Sequence, residues 1–525
     1  MQSQFHSGIG HTIKLKDVDG QGQGLFATED LSITDKVCSL GYPTMMAIGT
    51  EALPTTCYSC LTISSPAQAL PHRGIEPLAL KVCTGCHVVR FCNKNCQARA
   101  WSAYHKYECK IFRKCGWNFF PPHVVRAVMR IVLLQDKGVL PDEEWTQITS
   151  LTSHEDIIRE SGPSNLTMMA EDVRFLAKST MSLEMIEKLI FIMRTNQIEL
   201  LTSIYGGIGS MVDPLLSKFN HSCAANVMVY RPHWTMSSGW MSSTELSEEE
   251  RMTFLKVIPL RNLREGEELT ISYHPPTSSV HERNAKYKEN YYFECQCERC
   301  ISDLKEETKL RVHQPDMTAR FRKWEAQTRH NLQQLGLRSS AVTETIQSLD
   351  DIQSFLNTPS LYTTGTFPTA CGALVGHSAG IRAFDQTLIN CLRLYFLVYP
   401  YRFEGKHNPS DRRIMITLLE VFDALLAPSQ DEVNDHQKSL QDLSARGLSR
   451  ASLIYWRERI CADLRRRLES SAAKDLLVLV KRWYEPTGEP TGVHGIQQEV
   501  AEEAMRTVLR LDESRWRDVL AACGC

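Results

Sequence analysis

Apolar residues recur at helical spacing from Pro122 to about Leu200, in runs such as VVRAVMRIVLL and MSLEMIEKLIFIM. That period puts one apolar face on each run and predicts a succession of helices. Two flanking regions read differently. Residues 11–50 are short strand-like pieces broken by glycine, with DGQGQGLFATEDL placing three glycines before Leu25 and Phe26. Residues 205–274 return to strand-like text, where FLKVIPL is followed by the turn signal REGEE and then LTISY. A Ser- and Glu-rich stretch inside it, SSGWMSSTELSEEERM, predicts a solvated hairpin connection. Residues 301–360 are polar and charged with a helical pattern. From about Gly376 onward the runs GIRAFDQTLINCLRLYFLVY, RRIMITLLEVFDALL, SLIYWRERICADLRRRLES, DLLVLVKRWY and QQEVAEEAMRTVLRL fit the 3.6-residue period. The pattern predicts an α+β chain with a helical C-terminal half. Those helices admit a paired-helix, TPR-like array, although no repeat signature stands out.

The length of 525 residues exceeds one compact core. A hydrophobic fraction of 42% with 23% charged residues excludes a wholly disordered chain. Lys and Arg number 59 against 61 Asp and Glu, so no global attraction to nucleic acid is expected. The run Arg465–Arg467 reads as one solvated helix face. No apolar stretch approaches the ~20 residues of a membrane span. The opening MQSQFHSGIGHTIKLKDVDG lacks the apolar core of a signal peptide. The expected location is therefore the nucleus and/or cytoplasm, where disulfides are disfavoured.

In that setting 18 cysteines call for another explanation, and their clustering supplies it. Cys57-x-x-Cys60, Cys83-x-x-Cys86, Cys92-x-x-x-Cys96 and His105-x-x-x-Cys109 form four ligand pairs, enough for two tetrahedral Zn²⁺ sites. A segment of that size buries little core, so metal binding would supply most of its folding energy. Cys83-Thr-Gly-Cys86-His87 also reads as a haem attachment motif. The same two cysteines complete the four-pair count, so His87 is set aside as a bystander.

The text CTGCHVVRFCNKNCQARAWSAYHKYEC, with Trp101 ahead of the His-x-x-x-Cys pair, resembles a MYND zinc finger. The resemblance implies interleaved sites: Cys57, Cys60, Cys92 and Cys96 on one zinc, and Cys83, Cys86, His105 and Cys109 on the other. It also implies a protein-interaction module for proline-rich peptides, with an inserted loop between Cys60 and Cys83.

Three further strings occur in order: GQGQGLFATEDL (residues 20–31), FNHSC (219–223) and REGEELTISY (264–273), followed by Cys295-x-Cys297-x-x-Cys300. Together they resemble a SET domain, and with the inserted finger the chain is similar to SET-and-MYND protein-lysine methyltransferases over roughly residues 10–300. The boundaries expected are 1–50 for the first SET part, 51–112 for the finger, 113–195 for a helical insert, 196–280 for the SET core, 281–305 for a post-SET zinc segment and 306–525 for the helical domain.

The resemblance implies S-adenosylmethionine as cofactor. It would be held by Gln21, Gly22, Gln23, Gly24 and Leu25, by Asn196, by Asn220 and His221, and by Tyr273 and Phe293. Glycine at 22 and 24 lets backbone approach a ligand closely. Tyr273 is the catalytic candidate, orienting and polarising; a free phenol with a pKa of ~10 is not a simple base. Phe293, next to Tyr292, would stack near the adenine, and an aromatic at this place would also wall a lysine channel. Cys223 would complete a third zinc with Cys295, Cys297 and Cys300. The remaining seven cysteines, Cys38, Cys115, Cys371, Cys391, Cys461, Cys523 and Cys525, fit no pattern and read as small core residues.

One departure stands out. After Asn-His-Ser-Cys this chain has Ala224-Ala225-Asn226, keeping the family's asparagine and losing its proline. The function expected is lysine methylation of a histone and/or another protein. The alternative is a catalytically weak or inactive adaptor acting as a zinc-finger protein-interaction or transcriptional regulator.

Overall fold

The structure, a computed structural model, describes residues 12–18, 22–64, 79–160, 165–202, 206–230, 253–338, 340–403, 409–426, 433–471, 477, 480 and 498–523. Gln21, Cys525, the Ser/Glu-rich loop over 237–252 and most of DLLVLVKRWY lie outside them.

Among the described residues the strands make five small sheets, none wider than three strands. β1 (Ile13–Val18) and β2 (Gly22–Ala27) form an antiparallel hairpin. β3 (Cys38–Leu40) and β4 (Met45–Ile48) follow, and β5 (Lys81–Val82) pairs with β6 (Arg90–Phe91) inside the cysteine-rich segment. Downstream come β7 (Ile198–Thr202), β8 (Gly206–Val212), β9 (Asn220–His221), β10 (Val227–Tyr230), β11 (Leu255–Pro259) and β12 (Thr270–Ile271). β3 pairs with β11 and β4 with β8, so strands before the cysteine-rich segment bond to strands far beyond it. LTISY supplies only the two-residue β12, which runs parallel to β9. The two strand texts FLKVIPL and LTISY thus join different sheets.

The finger contributes α1 (Lys94–Ala100) and α2 (Lys106–Cys115), and after it come α3 (His123–Asp136), α4 (Asp142–Thr149), α5 (Glu155–Glu160), α6 (Leu166–Ala177) and α7 (Leu183–Asn196). Asn93 caps α1, accepting the Cys96 N–H at 2.9 Å. Between α1 and α2 the chain makes a π-turn, Trp101–His105, which delivers buried His105 to the finger. α3 is apolar nearly all round, and every residue from Val125 to Leu134 is buried, including Arg126 and Arg130.

After the site come α8 (Val280–Tyr291) and α9 (Glu298–His313). α8 begins with a capping box: Ser279 Oγ accepts the Glu282 N–H and Glu282 accepts the Ser279 N–H. The C-terminal half is helical. It comprises α10 (Pro315–Gln333), α11 (Ser340–Asp350), α12 (Pro359–Tyr362), α13 (Thr366–Gly380), α14 (Phe384–Arg393), a π-turn at Leu394–Val398, α15 (Tyr399–Arg402), α16 (Pro409–Leu426), α17 (Val433–Ala445), α18 (Arg450–Glu469), α19 (Gln498–Leu509) and α20 (Glu513–Cys523).

One hydrophobic core joins the strands, the finger cysteines and helices α3, α6 and α7. A second fills the helical half and reaches Tyr230 and Ile258. The arginine run is only partly the solvated face expected. Arg465 and Arg466 are exposed beside Glu469 and Asp463, while Arg467 is buried against Asp463 at 2.7 Å. That inward turn follows from helical geometry, which sends one of three consecutive residues toward the core. Of the seven unassigned cysteines, Cys38, Cys371, Cys391, Cys461 and Cys523 are buried and Cys115 is half-buried.

Candidate functional site

Three ligand tetrads assemble: Cys57, Cys60, Cys92 and Cys96; Cys83, Cys86, His105 and Cys109; and Cys223, Cys295, Cys297 and Cys300. Within each tetrad the ligand atoms lie within 4.8 Å of one another. A tetrahedron with Zn–S of ~2.3 Å has edges of about 3.8 Å. The sulfur separations of 3.4 Å for Cys60–Cys92, 3.9 Å for Cys83–Cys109 and 3.5 Å for Cys223–Cys300 match that size. The donor sets, Cys₄, Cys₃His and Cys₄, fit three zinc ions. His87 is exposed, with φ of +60°, and joins none of them.

His105 turns Nε2 toward Cys83 and Cys86, at 3.4 and 3.8 Å, and Nδ1 toward Glu108 Oε2 at 3.6 Å. A carboxylate behind a ligating imidazole fixes ring orientation. Glu108 is fully buried, and Arg130 Nε donates to it at 2.6 Å. Tyr58 accepts from Arg130 at 2.8 Å and donates to Glu108 at 3.1 Å. Burial pushes the Glu108 carboxyl up, but Arg130 and His105 outweigh it and hold it at about 2. Neighbouring Arg126 donates to the carbonyls of Ile48 and Pro121, at 2.6 and 2.9 Å. α3 thus ties the finger to β4.

The other motif strings converge at one place. Leu269 N–H bonds the Leu25 carbonyl at 2.7 Å, and Ala27 N–H bonds the Glu267 carbonyl at 2.9 Å. These bonds lay the glycine hairpin along REGEEL. β9 lies on the other side, with Asn220 opposite Thr270 and His221 opposite Ile271. Asn220 Nδ2 donates to Glu268 Oε1 at 2.8 Å. A Cβ on residue 24 would fall 2.6 Å from that oxygen and 2.8 Å from that nitrogen, so only glycine admits the pair beside β2. Gly22 has φ of +78° and open space where a Cβ would stand. Gly22 and Gln23 are exposed, whereas the Leu25 side chain is wholly buried. Lys218 Nζ reaches Gln23 Oε1 at 3.4 Å, linking the hairpin to the approach to Asn220.

Tyr273 is held at both ends. Its N–H donates to His221 Nδ1 at 3.1 Å and its hydroxyl donates to the Phe219 carbonyl at 2.7 Å. His221 Nδ1 therefore accepts, which places the ring hydrogen on Nε2, 3.3 Å from Cys223 Sγ. The third tetrad is thus linked to Tyr273 through one imidazole. Burial, followed by Tyr291 and Glu268, raises the Tyr273 phenol above its usual range.

Aromatic rings surround this pair. His221 packs on Tyr273 at 5.0 Å and Tyr287 at 4.3 Å between centroids, and Phe293 stacks on Tyr287 at 5.3 Å, nearly parallel. Tyr291 lies 4.7 Å from Tyr273. Tyr292, the neighbour singled out with Phe293, faces elsewhere: its φ of +61° ends α8 and turns its ring onto His154. Tyr291 takes the place beside Tyr273. Asn196 also stands apart from Asn220 in its bonding, its amide donating to the carbonyls of Thr152 (2.7 Å) and Ile192 (3.0 Å).

Asn226, retained where the preceding proline is lost, brackets the turn. It donates to the Glu268 carbonyl at 2.8 Å and Glu267 Oε1 at 3.0 Å, and accepts the Thr270 N–H at 2.8 Å. Asn226 stood out in the sequence without its partners, whereas Glu268, Tyr287 and Tyr291 were not separable there; the only signal was their position inside or beside the motif strings.

These features define a zinc-finger protein with an Asn-His/Tyr site beside a separate third cysteine tetrad. A MYND finger family model matches residues 57–109. The chain is 24% identical over 289 residues to SET domain and MYND-type zinc finger protein 6 of Schizosaccharomyces pombe, covering 54% of this chain and 50% of that protein. It is 25% identical over 301 residues to N-lysine methyltransferase SMYD2-A of Danio rerio, covering 56% and 61%. It is 29% identical over 254 residues to Histone-lysine N-methyltransferase ASHR1 of Arabidopsis thaliana, covering 46% and 48%. The chain spans about half to three fifths of the length of these relatives. Through its finger and these relatives it is similar to SET-and-MYND domain-containing proteins.

Proposed function

We propose that this chain is an S-adenosylmethionine-dependent protein-lysine N-methyltransferase with a SET fold. The carrying observation is that Tyr273 is pinned between the Phe219 carbonyl and His221, at the meeting point of the glycine hairpin, the Asn-His strand and the aromatic wall. Relatives named as lysine methyltransferases support the reading.

The residues suit the cofactor. Open space over Gly22, the exposed Gly22–Gln23 backbone, the Asn220 amide and the Phe293 ring offer polar edges and an aromatic face. Gly22, Gln23, Gly24, Asn220, His221, Tyr273 and Phe293 would hold it, with Gln21 and Leu25 flanking and Asn196 contributing from the end of α7. When bound it supplies an electrophilic methyl group. The chain's own part is positional. Tyr273, Tyr291 and Phe293 make an aromatic wall, and water shut out along it by a bound substrate would favour a neutral lysine amine over the ammonium. The Tyr273 oxygen, having spent its hydrogen on Phe219, keeps lone pairs to orient the reacting atoms.

Protein partners fit the finger, where the exposed ring of Trp101, with Trp117 and Phe119 just beyond the finger's end, offers a surface for proline-rich peptides. Substrates in the nucleus and/or cytoplasm, histone or not, fit equally. The lost proline bears on full activity. Asn226 supplies the bracket instead, which favours an intact pocket. Calorimetry of the zinc-loaded chain with S-adenosylmethionine tests the proposal: one-to-one binding is expected, and no heat at millimolar cofactor would leave only the adaptor.

A further inference from the structure

The segment Tyr273-His274-Pro275-Pro276-Thr277-Ser278-Ser279 leaves the site directly after the phenol. Two consecutive prolines have no N–H and fixed φ, so the segment cannot enter a sheet and its carbonyls must find donors elsewhere. Three successive carbonyls do so. Arg402 Nε and Nη2 donate to Pro276 O at 3.1 and 2.9 Å. The Gly365 N–H donates to Thr277 O at 2.8 Å. Arg283 Nη1 donates to Ser278 O at 2.6 Å. Two of these three donors come from the helical C-terminal half, about 90 and 125 residues further along the chain.

Arg402 is itself held. Its guanidinium makes a two-pronged pair with Asp303, both contacts at 2.9 Å, and its carbonyl accepts from Arg299. Asp303 also takes Arg283 Nη2 at 2.7 Å. Arg283 is wholly buried, and the same Nη2 lies 3.5 Å from Cys300 Sγ. A forked guanidinium bound to one carboxylate and one carbonyl is directional, and a lysine ammonium cannot reproduce it.

We propose that Arg402 is a positioning residue: through the Pro276 carbonyl, and braced by Asp303, the helical C-terminal half sets the backbone that carries Tyr273. The proposal rests on the methyltransferase reading for its catalytic consequence, but not for its structural one. It makes the C-terminal half a working part of the site, acting within a few residues of the phenol.

The test is hydrogen exchange on full-length, zinc-loaded Arg402→Met, which keeps the apolar stem and removes the fork. The Tyr273 amide, bonded to His221, is the reporter. The expected result is exchange about tenfold faster or more at Tyr273 and Thr277–Ser279. Residues 22–27 should be unchanged, zinc should stay at three per chain and cofactor affinity should move less than about threefold. Where lysine transfer is measurable, kcat falls about tenfold and Arg402→Lys recovers only part of it. Asp303→Asn, close in shape, should give the same local pattern if Arg402→Met does not fold. Unchanged exchange at Tyr273, or acceleration spread evenly over the chain, would overturn the proposal. Absence of cofactor binding by the wild type would instead defeat the enzyme reading and leave the exchange result standing.

Discussion

The hydroxyl of Tyr273 donates to the carbonyl of Phe219 across 2.7 Å, and Phe219 immediately precedes the Asn220–His221 strand. The phenol is therefore an oriented group whose hydrogen is already committed. Tyr273→Phe removes one hydrogen bond, worth ~1 kcal/mol of stability. It also removes the oxygen placed for the reaction, and loss of one such polar group costs about 10²–10³ in kcat. We expect that fall in transfer rate with cofactor affinity within about threefold of wild type, measured by single-turnover transfer and calorimetry on the same preparation. Equal rates would remove Tyr273 from the mechanism.

The pH profile follows from the direction of the Tyr273 shift. Burial first, then Tyr291 and Glu268, raise the phenol above its usual ~10, so it keeps its proton throughout the neutral and mildly alkaline range. The substrate amine titrates the other way in its effect, gaining reactivity as it loses its proton. The rate should rise from pH 7 toward pH 9.5 without a falling limb from phenolate formation. A descending limb centred below pH 10 in wild type, and absent in Tyr273→Phe, would contradict the assignment.

The finger's coupling to α3 can be weighed by a double-mutant cycle on Glu108 and Arg130. Removing one partner of a fully buried pair leaves an uncompensated charge, at ~3–5 kcal/mol. Arg130→Met should cost that much in denaturant unfolding of the zinc-loaded chain. Combining it with Glu108→Gln should cost less than the sum of the single changes, with a coupling of ~1–3 kcal/mol. Strict additivity would mean that the 2.6 Å contact carries no energetic coupling.

What the sequence disclosed follows from how far each interaction reaches along the chain. The finger ligands lie in short spaced pairs, so their chemistry is written locally, and the tetrads assemble as the resemblance implied. The glycine, Asn-His and Tyr strings were legible as motifs. Their partners were not, because Asn226 and Glu268 gain their roles only when the 267–270 turn folds back on β2 and β9, some 40 residues away from Asn226. The adjacency of Tyr292 to Phe293 is visible in sequence. A left-handed residue ending a helix, which sends neighbouring rings opposite ways, is not. Helical spacing in VVRAVMRIVLL does not disclose that Arg126 and Arg130 are buried and bond to β4 and the finger. The placement of Asn196 depends on the Thr152 carbonyl, which no local pattern announces.

The most direct test of the account is methyl transfer itself. The zinc-loaded chain is incubated with methyl-labelled S-adenosylmethionine over histones and a cell extract, and labelled peptides are sequenced by mass spectrometry, with Tyr273→Phe run in parallel. The account predicts label on lysine Nζ of one or more proteins, lost in the variant. Cofactor that binds at the site while no lysine acquires label, or label that persists undiminished in Tyr273→Phe, would contradict it.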